Sequence, residues 1–461
     1  MAADTVPNSD RSEARSSLGD DDGSSTLETE PLIIARAGPA HAPWRSYKEQ
    51  IASFSGRIVE AQRNLNLLQL LRWDASVEAS FRASRGRELP KVGLDWWGSL
   101  ELGFDPVQRI DELETIARDV RRELGRDDDI GAILSATALE YRDIVRLLIA
   151  RGTKEFHRLS CRLWGSPKDD LEGWGMKVRD MGFALYEALA RIHTDPALLP
   201  DPSEIPAEKA AEVLKARFDA FFGESLVEVV LDDGLLADAS AVGDRVKLRS
   251  AAKFCAQELD VLEVHEGWVH VATTLNGLAQ PVARWLAKGP PRTTKTQEGL
   301  AVLTEMFTGR SYVQRARKLN DRLIAIDKAE DGADFLDVHE WYRTEGYDED
   351  DCFSHARRVF RGGVTDRGGA PFTKDISYAK GLMVCFDVLQ QAILQGRVDS
   401  VAMLFAGKVA CEDLPVLTAH VADGIVRVPR YVPPPFRDLR GLAVWLSFTS
   451  ILGSKSTRQE P

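Results

Sequence analysis

Two imidazoles and a carboxylate stand close together in this chain. His265-Glu266-Gly267-Trp268-Val269-His270 is followed, 28 residues after His270, by Glu298 in Thr296-Gln297-Glu298-Gly299-Leu300-Ala301. Two His and a downstream Glu are the usual protein ligands of a catalytic zinc. A Glu directly after the first His stands where a metallopeptidase keeps its general base. The pattern points to a zinc hydrolase.

The spacing adds a structural demand. His four apart lie about 40° round a helix, so both rings reach one metal; His five apart lie about 140° round and splay. One extra residue in the turn, a π-bulge, returns i and i+5 to one face, and such bulges tend to sit at functional sites. Gly267 lies inside that turn and lowers the resistance to it. The motif therefore implies either a bulged metal helix or, by chance match on a regular one, no metal site. His339-Glu340 has no second His four or five residues on and reads as non-metal. His157, His193 and His420 read as structural.

The elements that must hold these groups are legible nearby. Residues 251–262 carry helix formers at helical apolar spacing and run into the motif, which stops near Asn276-Gly277, a plausible αL end. After the connection at Gly289, Pro290 and Pro291, a second helix is expected from about Thr296 through Phe307, with Glu298 in its first turn. Two His on one helix and a Glu on the next form a gluzincin-like arrangement. The expected fold class is α+β, mostly helical: a gluzincin-like metallopeptidase core with a small β-sheet and a helical N-terminal region.

The Gln297-Glu298-Gly299-Leu300-Ala301 string after His-Glu-x-x-x-His resembles the bacterial flavohaemoglobin expression-modulating QEGLA motif proteins. It is also similar to their eukaryotic relatives, the microtubule-associated tyrosine carboxypeptidases that remove the C-terminal tyrosine of α-tubulin. The resemblance spans roughly residues 45 to 430 and is sharp in the two motifs; Arg361-Gly362-Gly363 and Phe372-Thr373-Lys374-Asp375 look family-like as well. It implies one Zn2+ held by His265, His270 and Glu298, with Glu266 activating water. The bacterial label names an expression effect, and the tubulin activity belongs to the eukaryotic branch, so the substrate does not transfer.

Composition fits a globular enzyme: 461 residues, 28% charged. A net charge of -12 argues against nucleic acid as the main partner, since phosphate binding needs a basic face. Five scattered cysteines, Cys161, Cys255, Cys352, Cys385 and Cys411, form no C-x-x-C pair. They read as reduced thiols of a cytoplasmic protein rather than a disulfide framework or a Cys-zinc site, with Cys255 in the core. The N-terminus lacks the basic and apolar regions of a secretory signal. The apolar stretch 441–452 is too short to cross a bilayer and reads as a core or surface-docked helix, so membrane insertion is not expected. Nothing in the sequence sets the oligomeric state.

Four regions are expected: a disordered acidic tail over 1–42, a helical N-terminal region over 43–199, the catalytic core over 200–435, and a C-terminal helix and tail over 436–461. Pro200-Asp201-Pro202 to Pro206 marks the central boundary. A helix over 207–222 precedes β-like runs at 225–231 and 244–248, with Asp232-Asp233-Gly234 as turn material between them. In such peptidases an exposed edge strand can pair with an extended peptide. Helices return over 309–430. The Gly362-Gly363 and Gly368-Gly369 turns lack the Lys-Ser/Thr of a phosphate loop.

Three ligands leave one coordination position for water, whose proton Glu266 takes and passes to the leaving amine. The function expected is carboxypeptidase action on a peptide or protein C-terminal tail. The terminal carboxylate then needs a cation, for which Arg361 and Lys374 are candidates, and Tyr378 is a candidate oxyanion donor. Surface charge is the plain alternative for Arg361 and Lys374. The competing function is a non-catalytic regulator or scaffold that retains a metal site.

Overall fold

The computed structural model describes residues 42–235, 237–366 and 370–456. Apart from Ala42, which opens the first helix, the acidic tail expected over 1–42 lies outside the described residues. The fold is α+β and mostly helical, as expected.

Helical segments in the first half form for local reasons. The Pro106–Glu123 helix begins with Asp105, whose side chain accepts the Val107 and Gln108 N–H groups at 2.9 and 3.1 Å. Pro106 occupies the first helical position, where no N–H is needed. Leu113, Ile116, Ala117 and Val120 recur every three or four residues and are buried. They meet Ile51 and Ile58 of the Ala42–Ala61 helix and Leu134 and Tyr141 of the Asp129–Ile149 helix. That core continues without a break into Leu300, Leu303, Leu389 and Phe405. Each such fully buried side chain contributes about 1.5–3 kcal/mol, so the early helices and the segment carrying Glu298 share one apolar interior.

The Ala207–Phe222 helix has the bounds expected. The sheet differs. Glu228–Asp232 pairs with Arg245–Arg249 in parallel, and Ala239–Val242, a strand not foreseen, pairs with Arg245–Arg249 antiparallel on its other side. The Asp232-Asp233-Gly234 turn thus leads into this extra edge strand and does not join the two foreseen strands as a hairpin. Alanine-rich and four residues long, Ala239–Val242 carries little β signal of its own.

Three helix boundaries also move. Lys253–Phe254 is a short strand paired with Ile205–Pro206, so the motif helix starts at Ala256, with the Cys255 N–H bonded to Glu258 at 2.9 Å, and not at residue 251. It runs on to Leu278, and Ala279 caps it in the right-handed region in place of the αL end expected at Asn276-Gly277. The second helix begins at Pro291, five residues earlier than expected. Pro290 and Pro291 are its start, since proline is well suited to a first helical position. Glu298 therefore sits two turns inside, away from the positive helix end.

The Pro291–Phe307 helix crosses Ile376–Leu394 at a contact of two glycines. A Cβ on Gly299 would stand 2.1 Å from the Gly381 carbonyl oxygen, and one on Gly381 would stand 2.0 Å from that of Lys295. Any side chain at either position would push the two backbones apart. The C-terminal helix, Arg440–Ser456, buries Leu442 and Leu446 and leaves Val444 and Phe448 exposed, so it docks on the surface. Among the described residues no helix is long and apolar enough to cross a membrane.

Candidate metal centre

The motif helix winds as α from Ala256 to Leu262, as π from Glu263 to Val271, and as α again to Leu278. The π-segment brings His265 and His270, five apart, to one side. Their rings lie 4.9 Å apart at 87°. Widening a helix displaces carbonyls from their usual partners, and here side chains take them up. The His270 carbonyl accepts from Lys408 Nζ at 2.9 Å and from the Thr274 hydroxyl at 2.8 Å; Val269 O lies 2.6 Å from the Thr273 hydroxyl.

Three neighbouring residues of the Pro291–Phe307 helix divide the work of meeting this segment. Gln297 Oε1 accepts from Lys408 Nζ at 2.9 Å and lies 2.8 Å from the Thr273 hydroxyl, which fastens the two helices together. Gly299 permits the crossing with Gly381. Glu298, between them, points at the histidines: its Oε2 is 3.6 Å from His265 Nε2 and 3.6 Å from His270 Nε2. That oxygen is buried and has no hydrogen-bond partner. Ligand atoms on a tetrahedral ion with bonds of about 2.0–2.1 Å stand about 3.4 Å apart. Glu298 Oε2 stands near that spacing from each imidazole nitrogen, and the otherwise unsatisfied buried oxygen could take a cation there.

Without an ion, the same groups form a network of opposite charges. Burial would raise Glu298, but Lys374, whose Nζ is 3.3 Å from Oε1, and the two imidazoles outweigh it and hold the carboxyl well below the usual range. His265 Nδ1 lies 2.7 Å from Glu305 Oε1, which turns Nε2 towards Glu298. Burial works against charge on His265, yet Glu298 and Glu305 together lift it to about 9. Glu305 is buried too, and Arg315 at 2.9 Å, with His265, brings it down to about 2. Burial lowers Lys408 to about 8 in spite of Glu298 and Glu266.

Glu266 lies beside the histidines: one ligand atom from each of His265, Glu266 and His270 falls within 4.8 Å of the others. Its Oε2 accepts the Ala241 N–H at 2.8 Å. Ala241 belongs to the edge strand Ala239–Val242, so the free edge of the sheet runs past the site.

The remaining candidates are spread along one wall. The Tyr378 ring stacks 6.4 Å from His265. Burial, and after it Glu298, raises its phenol, which stays a protonated donor. Lys374 is engaged by Glu298. Arg361 stands further back, over the Phe372 ring at 5.1 Å and 3.9 Å from Asp375, a carboxylate already bonded to Arg358 at 2.8 Å.

Four residues escaped the sequence reading: Glu305, Arg315, Lys408 and Arg322. Glu305 lies seven residues, two turns, beyond Glu298 on the same helix face, a usable signal. The other three come from distant segments and leave none. Arg322 lies over the Tyr378 ring at 5.1 Å. Its Nε is buried without a hydrogen-bond partner, and no carboxylate pairs with it among the described residues. Burial, and then neighbouring Arg358, work against its charge.

His339 is a core residue between Phe81 and Phe335. Comparison with curated proteins returns no match. The profile of a family described as microtubule-associated tyrosine carboxypeptidase matches residues 79–454, which takes in the motif helix, the helix bearing Glu298 and the wall with Lys374 and Tyr378. With most of its length so matched, the chain belongs to the microtubule-associated tyrosine carboxypeptidase family.

Proposed function

We propose that this protein is a zinc-dependent carboxypeptidase that removes a C-terminal residue from a peptide or protein tail, with His265, His270 and Glu298 holding one zinc ion and Glu266 as general base. The observation that carries this reading is Glu298 Oε2, buried, without a hydrogen-bond partner and 3.6 Å from both imidazole Nε2 atoms. An aromatic leaving residue agrees with the family description.

A zinc ion in such a site lowers the pKa of its water towards neutrality and polarises a carbonyl. The chain's own groups account for the rest. The edge strand Ala239–Val242 offers backbone for an extended tail to pair with. As the water oxygen bonds to the scissile carbonyl carbon, Glu266 takes the proton; when the C–N bond breaks, it delivers that proton to the leaving amine. The Tyr378 hydroxyl, whose ring stacks on His265, would donate to the developing oxyanion. Glu305 fixes the His265 ring.

Lys374 is occupied by Glu298 and Arg361 by Asp375, which leaves Arg322 as the guanidinium to receive the substrate's terminal carboxylate. A peptide with a free C-terminus should be cut much faster than its C-terminal amide, by about 2–5 kcal/mol in kcat/KM. Arg322→Met should erase most of that difference. Equal cleavage of acid and amide by the unaltered protein would mean an endopeptidase or another hydrolase.

Glu305→Gln should weaken zinc binding by about 10–100-fold, because the His265 ring loses the carboxylate that orients it. Competition with a chromophoric chelator measures this directly. An unchanged affinity would reduce Glu305 to a partner of Arg315.

A further inference from the structure

A second set of ligand-type side chains converges away from this centre. His157 and Cys161 are one turn apart on the Lys154–Trp164 helix, and Glu330 ends the Val313–Glu330 helix. Cys161 Sγ is 3.4 Å from His157 Nε2 and 3.8 Å from Glu330 Oε1, and those last two atoms are 3.7 Å apart. A tetrahedral ion with bonds of about 2.0–2.3 Å spaces its ligand atoms about 3.3–3.6 Å apart. A small inward movement closes the triangle on a metal.

The groups behind the three atoms hold them in that pose. His157 Nδ1 lies 2.8 Å from the Pro371 carbonyl, so Nδ1 carries the proton and Nε2 presents its lone pair to the triangle. The second oxygen of Glu330 accepts from the Ser166 hydroxyl at 2.8 Å and faces Lys168 Nζ at 3.7 Å, which leaves Oε1 turned towards Cys161. One cysteine sulfur, which gives up its proton on binding zinc, one imidazole and one carboxylate make a donor set suited to zinc and unsuited to calcium or magnesium.

The geometry points to a second zinc site formed by His157, Cys161 and Glu330, its fourth position filled by water. The side chain of His157 is 28% exposed, so solvent reaches the site. Its effect is to clip together two helices and the loop that feeds the first centre. Pro371 is held by His157, and the Thr373 N–H is held by the Ser160 hydroxyl at 2.8 Å; the next residue, Lys374, is the cation at Glu298. The sequence hid this. His157 read as structural and Cys161 as a free thiol, because the third ligand lies 169 residues further along.

The test is cobalt substitution in the full chain; its thiolate band reports on this site alone, whereas the total of two equivalents also rests on the proposed first centre. Only this site contributes sulfur, so the cobalt protein should bind two equivalents and show a thiolate-to-cobalt charge-transfer band in the near ultraviolet. Cys161→Ser should lose that band and one equivalent. His265→Ala should lose the other equivalent and keep the band. Glu330→Gln, which retains the thiol, should bind the second equivalent more weakly. Absence of the band from the unaltered protein, or its survival in Cys161→Ser, overturns the proposal; survival would place the sulfur ligand at another cysteine, such as the buried pair Cys385 and Cys411, whose sulfurs are 3.7 Å apart.

Discussion

Glu266→Gln should lower hydrolysis by about 10²–10⁴-fold, the usual worth of a positioned general base, while leaving the fold and the metal content unchanged. The amide has nearly the shape of the carboxylate but cannot take a proton from water. Its oxygen can still accept the Ala241 N–H that Glu266 now holds at 2.8 Å, so the contact between the edge strand and the motif helix survives. That separates chemistry from structure. The informative measurement is kcat on a C-terminal substrate beside metal content and circular dichroism of the same sample. Full activity in the variant would remove Glu266 from the reaction.

The second large effect is loss of the ion. His265→Ala takes away one of the three converging atoms, and the remaining pair, His270 and Glu298, is too few to hold zinc with useful affinity. Activity should fall to background and the centre should be empty by metal analysis. The fold should persist, because Glu305 keeps Arg315 at 2.9 Å and Glu298 keeps Lys374 at 3.3 Å. Removing the hydrogen bond between His265 and the buried Glu305 costs about 1–3 kcal/mol, measured as a denaturant-midpoint shift with both proteins metal-free. Undiminished turnover by His265→Ala would refute the assignment of the centre.

The part of this protein that could be read from the chain alone is the part whose causes are local. The apolar spacing of the Ala207–Phe222 helix is contained in its own residues, and the element appeared where the pattern put it. The His-Glu-x-x-x-His spacing on a helical flank implied either a bulged metal helix or no metal site, and residues 263–271 form a π-helix. Both histidines and Glu298 were recognisable as a group because two short strings carried them. Propensity misled where a short pairing competed with it, as when Lys253–Phe254 joined Ile205–Pro206. Proline at Pro290-Pro291 reads as a separator of elements, but Pro291 begins one.

What only the tertiary structure decided are the contacts between groups far apart in sequence. Nothing near Gln297 announces Lys408, which satisfies the carbonyl exposed by the π-turn and ties the two helices. Arg322 is one cation among many in the sequence and becomes distinct only because it lies on Tyr378 with no paired carboxylate among the described residues. Ala239–Val242 has too few residues to signal a strand, and it exists because Arg245–Arg249 offers an edge. A motif names the donor atoms, but their distances, charges and free lone pairs are set by side chains that arrive from the rest of the fold, and burial makes each of those arrivals energetically consequential.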